Sequence, residues 1–188
     1  MGKCGVDTSL TEFLARHTPF HEETAIWWSG QMHVRLTSYL SDEVPPRDLI
    51  TSANTLLFRD DAVIVSRNRD DTHIWPGGRR EPGETLMQTL SREVMEETGW
   101  TIRDVALLGF VHGCHETPKP ENYPYPYPDF IRVVYMAEAD TFTAGMTDPD
   151  EYELESGFRS IADVRSMTLR NGQHGYLDHA LALRHTKE

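Results

Sequence analysis

The chain has 188 residues, enough for one domain with a buried core. Hydrophobic residues make up 38% and charged residues 26%, a balance that excludes a largely disordered protein. The formal net charge of −12 argues against binding of long nucleic acid, which usually needs a basic surface. It does not exclude a small anionic ligand whose charge a metal ion neutralises.

The sequence offers no sign of a membrane anchor. No apolar stretch approaches the length of a membrane span, and the N-terminus lacks the apolar centre of a secretion signal. The Met-Gly start resembles a myristoylation signal, but Val6 stands where Ser or Thr is expected. The cysteines Cys4 and Cys114 indicate neither a disulfide framework nor a CxxC metal pair. We therefore expect a cytoplasmic protein with reduced thiols and no membrane partner.

The N-terminal part is predicted to be helical. A short helix is expected near residues 10–14, and a longer one over residues 23–40. The apolar stripe of the longer helix consists of Trp28, Met32, Leu36 and Tyr39. This stripe is expected to pack in the core or at a homodimer contact, with the wall of a ligand pocket as the alternative. Residues 41–48, SDEVPPRD, break the pattern. Residues 1–48 are therefore interpreted as an N-terminal helical extension, and 49–188 as the main domain.

Short strands are predicted after this break. Residues 52–58 and 62–66 are apolar and β-branched and flank a polar turn, which is typical of a hairpin. Residues 73–75 form a further short strand that enters a loop rich in glycine and proline, residues 76–83.

A helix is predicted directly after this loop, from Thr85 to Thr98. Leu86, Leu90 and Val94 recur every four residues and mark its buried stripe, and Gly99 is suited to end it.

Three glutamates on this helix point to a cation. Glu93, Glu96 and Glu97 stand at i, i+3 and i+4 and so share one face, where like charges repel each other. They also lie near the negative end of the helix dipole. A hard divalent cation such as Mg²⁺ takes carboxylate oxygens as ligands and would relieve this repulsion. The alternative is a solvated acidic face that pairs with Arg92.

The residues from Gly78 to Trp100, GRREPGETLMQTLSREVMEETGW, resemble the Nudix box, GX5EX7REUXEEXGU, where U is a bulky apolar residue. Every fixed position matches, with Trp100 in the last apolar position. The resemblance implies that Glu93, Glu96 and Glu97 bind the metal and that Arg92 orients them. It implies that Glu84 supports the loop and the metal site.

The resemblance also implies an activity. Members of the family mostly hydrolyse a nucleoside diphosphate linked to another moiety, using Mg²⁺ or Mn²⁺, and a phosphoanhydride bond breaks. Gly78 and Gly99 match the structural glycines of the box, and Gly78 opens the loop expected to bind the substrate. Arg79 and Arg80 in that loop would contact phosphate, since guanidinium groups match phosphate oxygens. The alternative is exposed loop charge.

The chain after the box is predicted to form strands at 105–111 and 130–139, a late strand and short helix within 156–170, and a terminal helix near 176–183. The loop at 112–129 has five prolines and three tyrosines. Its tyrosines would either stack on a base or stiffen the loop. The candidates for a general base outside the box are Glu116, Glu151, Glu153 and Glu155.

These elements predict an α/β protein with a mixed sheet between helices, which agrees with the α/β/α sandwich that the resemblance implies. The favoured function is hydrolysis of a small-molecule nucleoside diphosphate derivative. One alternative is a non-catalytic Nudix-fold regulator that binds a nucleotide or sugar. Another is an isoprenyl diphosphate isomerase, for which Cys114 would be the catalytic cysteine.

Overall fold

The computed structural model describes residues 8–27, 30–145 and 153–186. Helices α1 to α4 span Thr8–Leu14, Leu86–Thr98, Ile161–Arg165 and Gln173–His185, and a 3₁₀ turn spans Arg47–Leu49. Strands β1 to β9 span Pro19–Trp27, Met32–Leu40, Ile50–Arg59, Ala62–Asn68, Thr72–His73, Gly77–Arg79, Trp100–His115, Asp129–Phe142 and Glu153–Ser160. None of the helices in this part of the chain is long and apolar enough to cross a membrane.

The described strands form one mixed sheet in the order β1-β2-β7-β8-β3-β4-β5. Strand β6 pairs with β3, and β9 pairs with β4. The pairing of β3 with β8 is parallel, whereas the neighbouring pairs β7 with β8 and β3 with β4 are antiparallel. The predicted hairpin of β3 and β4 and the strand predicted at 130–139 are confirmed.

Alternation along the strands divides the core into two layers. One face of the sheet packs against α1 and α2, where Leu10 and Leu90 lie in one cluster with Ile131 and Val133. The other face packs against α3 and α4, where Tyr176 lies in a second cluster. The predicted α/β class, with a mixed sheet between helical layers, is confirmed.

The helix predicted over residues 23–40 is wrong. This segment forms the antiparallel hairpin of β1 and β2, in which Ala25 pairs with Val34 and Trp27 with Met32. Burial follows the two-residue period of a strand, because Met32, Val34 and Leu36 face the core. Gly30, with φ of 90°, lies in the connecting turn and adopts a conformation that favours glycine. The segment before residue 48 therefore extends the sheet, and only α1 within it is helical among the described residues.

The hairpin lies beside the central strands. Strand β2 pairs with β7 from Val34–His115 to Leu40–Gly109. Strand β7 is therefore longer than predicted and includes residues 112–115, which were expected in the long loop. Trp27, at the end of β1, lies with its ring centroid 5.5 Å from that of Phe130 on β8.

Candidate active site

Residues at both ends of helix α2 fix where it begins and ends. At its start Thr85 accepts a hydrogen bond from the Gln88 backbone N–H at 3.3 Å, and Gln88 accepts one from the Thr85 N–H at 2.9 Å. This capping box satisfies backbone donors that the first turn leaves unpaired. At its end Gly99 has φ of 74° and donates to the Met95 carbonyl at 2.9 Å. The predicted helix and its buried residues Leu90 and Val94 are confirmed.

Arg92 joins three carboxylates of the box into one network. Its Nε and Nη2 donate to the two oxygens of Glu84 at 2.7 and 3.1 Å. Its Nη1 donates to Glu93 at 3.0 Å and to Glu96 at 3.1 Å. Nη2 also donates to the Arg79 carbonyl at 3.0 Å, which ties the box loop to the helix. The planar guanidinium fixes these groups in directions that a lysine could not satisfy together.

Glu84 is held as a carboxylate. It accepts hydrogen bonds from the Glu81 backbone N–H at 3.0 Å and from the Thr89 hydroxyl at 2.8 Å. The Arg92 hydrogen bond, followed by those from Glu81 and Thr89, lowers the pKa of Glu84 to about 2. Glu84 therefore stays ionised wherever the protein is folded near neutral pH.

This shift gives a prediction for stability against pH. The ordinary pKa of 4.5 is lowered to about 2 in the folded protein, so the contribution of Glu84 is complete above about pH 4.5. It is lost as the pH falls from about 4.5 towards 2. We expect Glu84→Gln to lower the melting temperature at pH 7, with a difference from wild type that shrinks steadily below pH 4.5. A difference that is constant between pH 7 and pH 3 would contradict this assignment.

Gly78 makes room for the Glu93 carboxylate. A Cβ at residue 78 would lie 2.4 Å from Glu93 Oε2 and 2.5 Å from its Cδ. The Glu93 side chain is only 15% exposed, and burial raises its pKa, an effect that the neighbouring Arg92 opposes. The Glu93 carboxylate is therefore partly buried and held against the box loop at Gly78.

The adjacent glycines predict two different mutant phenotypes. In Gly78→Ala the new methyl meets the end of the Glu93 side chain, which can move, so we expect a folded protein with activity lowered about 10–100-fold. In Gly77→Ala the methyl would lie 2.3 Å from the Ala53 carbonyl oxygen, at a residue with φ of 136°. We expect a loss of stability of at least about 2 kcal/mol. Thermal melts and activity on both variants separate the two effects, and a destabilised Gly78→Ala with normal specific activity would contradict them.

Glu97 connects the box to a cavity of about 440 Å³. It lines the cavity wall together with Gly77 and Gly78. Its Oε2 accepts a hydrogen bond from the Gly77 N–H at 3.0 Å, which orients the carboxylate beside the loop. The cavity lies at the ends of the central strands, where Ser52 and Asn54 of β3 also line it.

The three box carboxylates are of the chemical type that binds a hard divalent cation. Glu93, Glu96 and Glu97 provide oxygen donors, the ligands that Mg²⁺ and Mn²⁺ prefer. Arg92 uses one oxygen each of Glu93 and Glu96. Among the described residues, no three acidic, histidine or cysteine side chains lie close enough together to form a ready cluster. Metal binding would therefore require these side chains to converge.

The two arginines of the box loop are placed differently. Arg79 lines the cavity, and its guanidinium carbon lies 4.1 Å from the centre of the Tyr125 ring. Its Nη1 also donates to the Tyr125 hydroxyl. The Arg80 side chain is exposed and is not among the described residues that line the cavity. Its backbone N–H donates a hydrogen bond to the Thr51 carbonyl at 2.9 Å.

The tyrosines of the Tyr-Pro loop lie in two different environments. Tyr123 and Tyr125 line the cavity. The Tyr123 hydroxyl lies 3.1 Å from His115 Nε2. Tyr127 stacks on the His115 ring and donates to the Thr117 carbonyl, so it fixes the loop.

Of the candidate bases outside the box, Glu116 and Glu155 do not line the described cavity. Glu116 forms an ion pair with Arg35 at 3.1 Å, and Glu155 forms one with Arg67 at 3.5 Å. Glu151 and the side chain of Glu153 lie outside the described residues.

Cys114 does not supply a free thiol. It is 1% exposed in β7 and disulfide-bonded, so the expectation of a reduced thiol is wrong for this residue. The other cysteine of the chain, Cys4, lies outside the described residues. A disulfide-bonded sulfur is not a nucleophile, which removes the support for the isomerase alternative.

Several residues of the cavity wall carry no recognisable motif in the sequence. Asn54 leaves its Oδ1 without a hydrogen bond, and Trp75 does the same with its Nε1, although both are buried. Arg132 on β8 also lines the cavity. A signal for Arg132 was present, because it alternates with Phe130, Val134 and Met136, which belong to one core cluster. A charge on such a face marks a place where the core opens.

The chain belongs to the Nudix hydrolase family, because the model of the NUDIX domain matches residues 48–179, well over half of the 188 residues. A curated relative is the NAD-capped RNA hydrolase NudC of Salmonella agona strain SL483, 26% identical over 170 residues. The match covers 85% of this chain and 58% of the relative, so the chain spans less than two thirds of that protein.

Solved structures show the same fold. A NUDIX hydrolase from Nitrosomonas europaea has a TM-score of 0.55 at 20% identity, and the match covers 71% of this chain and 88% of that chain. A protein described as an ADP compounds hydrolase has a TM-score of 0.53 at 17% identity, with 91% of this chain and 95% of that chain covered.

Proposed function

We propose that the protein hydrolyses a phosphoanhydride bond in a nucleoside diphosphate linked to another moiety, with Mg²⁺ or Mn²⁺ as cofactor. The observation that carries this proposal is the position of Glu97, which belongs both to the carboxylate face of α2 and to the cavity wall. A substrate in the cavity would thus present its phosphates at the end of that face.

Glu93, Glu96 and Glu97 would hold the metal ion, which when bound supplies charge neutralisation for phosphate oxygens and for the developing negative charge. Arg92 keeps Glu93 and Glu96 on one side of the helix and compensates their repulsion. Arg79, at the cavity wall, would donate to phosphate oxygens. A glutamate would accept the proton of the attacking water, as the new bond from water oxygen to phosphorus forms and the anhydride P–O bond breaks.

Two features support a dinucleotide-like substrate. The relative named above acts, by its name, on NAD-capped RNA. The cavity also combines polar groups with the aromatic residues Trp27, Tyr123 and Tyr125, which can stack on a base. We therefore include NAD⁺ with ADP-ribose, nucleotide sugars and nucleoside triphosphates among the compounds to test.

The test is to incubate the protein with each compound in Mg²⁺, in Mn²⁺ and in a chelator, and to separate the products. We expect metal-dependent release of a nucleoside monophosphate from a compound with a diphosphate bridge. Binding of a nucleotide without turnover of any compound would instead support a regulator that uses the fold without catalysis.

A further inference from the structure

We propose that Arg132, which lies outside the Nudix box, binds a phosphate group of the substrate together with Arg79. This inference rests on the proposed function, since it names a second binding group in the same cavity. It assigns to the cavity a preference for ligands that carry a diphosphate over ligands that carry only a nucleoside.

Strand register brings the two arginines together. Ser52 on β3 is the partner of Arg79 on β6 in the antiparallel pair, and of Arg132 on β8 in the parallel pair. Residues paired across neighbouring strands project from the same face of a sheet. Arg79, Ser52 and Arg132 therefore form one row across three strands, and all three line the cavity.

Arg132 is partly buried and has no ion-pair partner among the described residues. No carboxylate of the described residues lies within ion-pair distance of it, and no hydrogen bond links its side chain to them. Glu23 acts on Arg132 only through space, because it accepts a hydrogen bond from the Asn171 N–H at 3.0 Å and lies 3.2 Å from His21. A guanidinium in such a position is unfavourable until an anion reaches it.

The surroundings add to this unfavourable position. Burial lowers the pKa of Arg132, and the like charge of Arg79 acts in the same direction, while Tyr176 and Glu23 oppose them. Two like charges that face one cavity repel each other when it is empty and both attract a phosphate that enters it. Guanidinium groups bind phosphate oxygens through two parallel N–H donors, so the pair matches the chemistry of a diphosphate.

This arrangement makes a two-part prediction for Arg132→Met. Removal of a partly buried cation that lacks an ion-pair partner should raise the melting temperature of the ligand-free protein. The same change should weaken the binding of ADP at least tenfold, while the affinity for adenosine stays as in wild type. Arg165→Met is the matched control, because Arg165 is exposed on α3 and pairs with Asp178. It should leave the binding of both ligands unchanged.

The binding is measured by calorimetry with ADP, inorganic pyrophosphate and adenosine in a chelator, so that the result does not depend on hydrolysis. Arg132→Lys should retain part of the ADP affinity, and it gives the same comparison if the Met variant does not fold. The proposal would be overturned if Arg132→Met still bound ADP as wild type does, or if its affinities for ADP and adenosine fell equally. It would also be overturned if wild type bound neither ADP nor pyrophosphate. Wild-type binding that depends on Arg132, without turnover of any compound, would refute the proposed hydrolysis and keep this inference.

Discussion

Glu97→Gln is expected to lower kcat/KM on the order of 10³-fold while the protein stays folded. Glu97 is the box carboxylate at the cavity wall, and its loss removes a charged ligand of the proposed metal site. A metal-binding side chain that stabilises the transition state by about 4 kcal/mol would account for a 10³-fold change, since about 1.4 kcal/mol corresponds to a tenfold change in rate. The Gln side chain has the same size and can still accept from the Gly77 N–H, so the loop position should be kept.

The measurement is steady-state hydrolysis at several Mg²⁺ concentrations, with melting temperature as the check on folding. Glu12→Gln makes the same chemical change on the exposed surface of α1 and should behave as wild type. Full metal-dependent turnover by Glu97→Gln would show that this glutamate is not part of the reaction site.

Arg92→Lys is the second change with a large expected effect. Lysine keeps the charge but cannot reach Glu84, Glu93, Glu96 and the Arg79 carbonyl together, as Arg92 does. Groups that orient metal ligands typically contribute 10–100-fold to metal affinity or activity. We therefore expect kcat/KM to fall by about that factor, and more Mg²⁺ to be needed for half-maximal activity.

A titration of activity with Mg²⁺ reveals this effect. Arg103→Lys serves as its control, because Arg103 is exposed and pairs with Asp104 and Asp140 outside the cavity wall. If the Arg92 variant needs no more Mg²⁺ than wild type, the network of Arg92 is structural and does not orient the metal ligands.

Local sequence patterns were sufficient for the box. The run from Glu84 to Gly99 has one helical period, a capping residue at its start and a glycine at its end, and all three agree with α2. The motif identifies Gly78 as a structural glycine but does not show why glycine is needed there. The reason is the close approach of the Glu93 side chain, which joins the loop to the middle of the helix.

The N-terminal hairpin was mispredicted because residues 23–40 satisfy two periods at once. Met32 and Leu36 are four residues apart and fit a helical stripe, but with Val34 between them they also fit one face of a strand. The choice is decided by pairing with β7, which lies about 70 residues later in the sequence and leaves no local signal.

The cavity could not be predicted because its residues come from distant segments. Trp27 reaches it from the hairpin, Arg79 from the box loop and Arg132 from β8. Only register places Arg79 and Arg132 on either side of Ser52. The formal charge of −12 gives no indication of these cations, since it averages over the whole chain.

Hydrolysis in water enriched in ¹⁸O tests the central claim most directly. Mass spectrometry of the phosphate-containing products should show one ¹⁸O atom incorporated into a single phosphoryl group per bond broken, only when Mg²⁺ or Mn²⁺ is present. That result would establish attack of water on phosphorus and identify which phosphorus is attacked. Products without ¹⁸O in any phosphoryl group, or formed equally in a chelator, would contradict metal-assisted hydrolysis at this site.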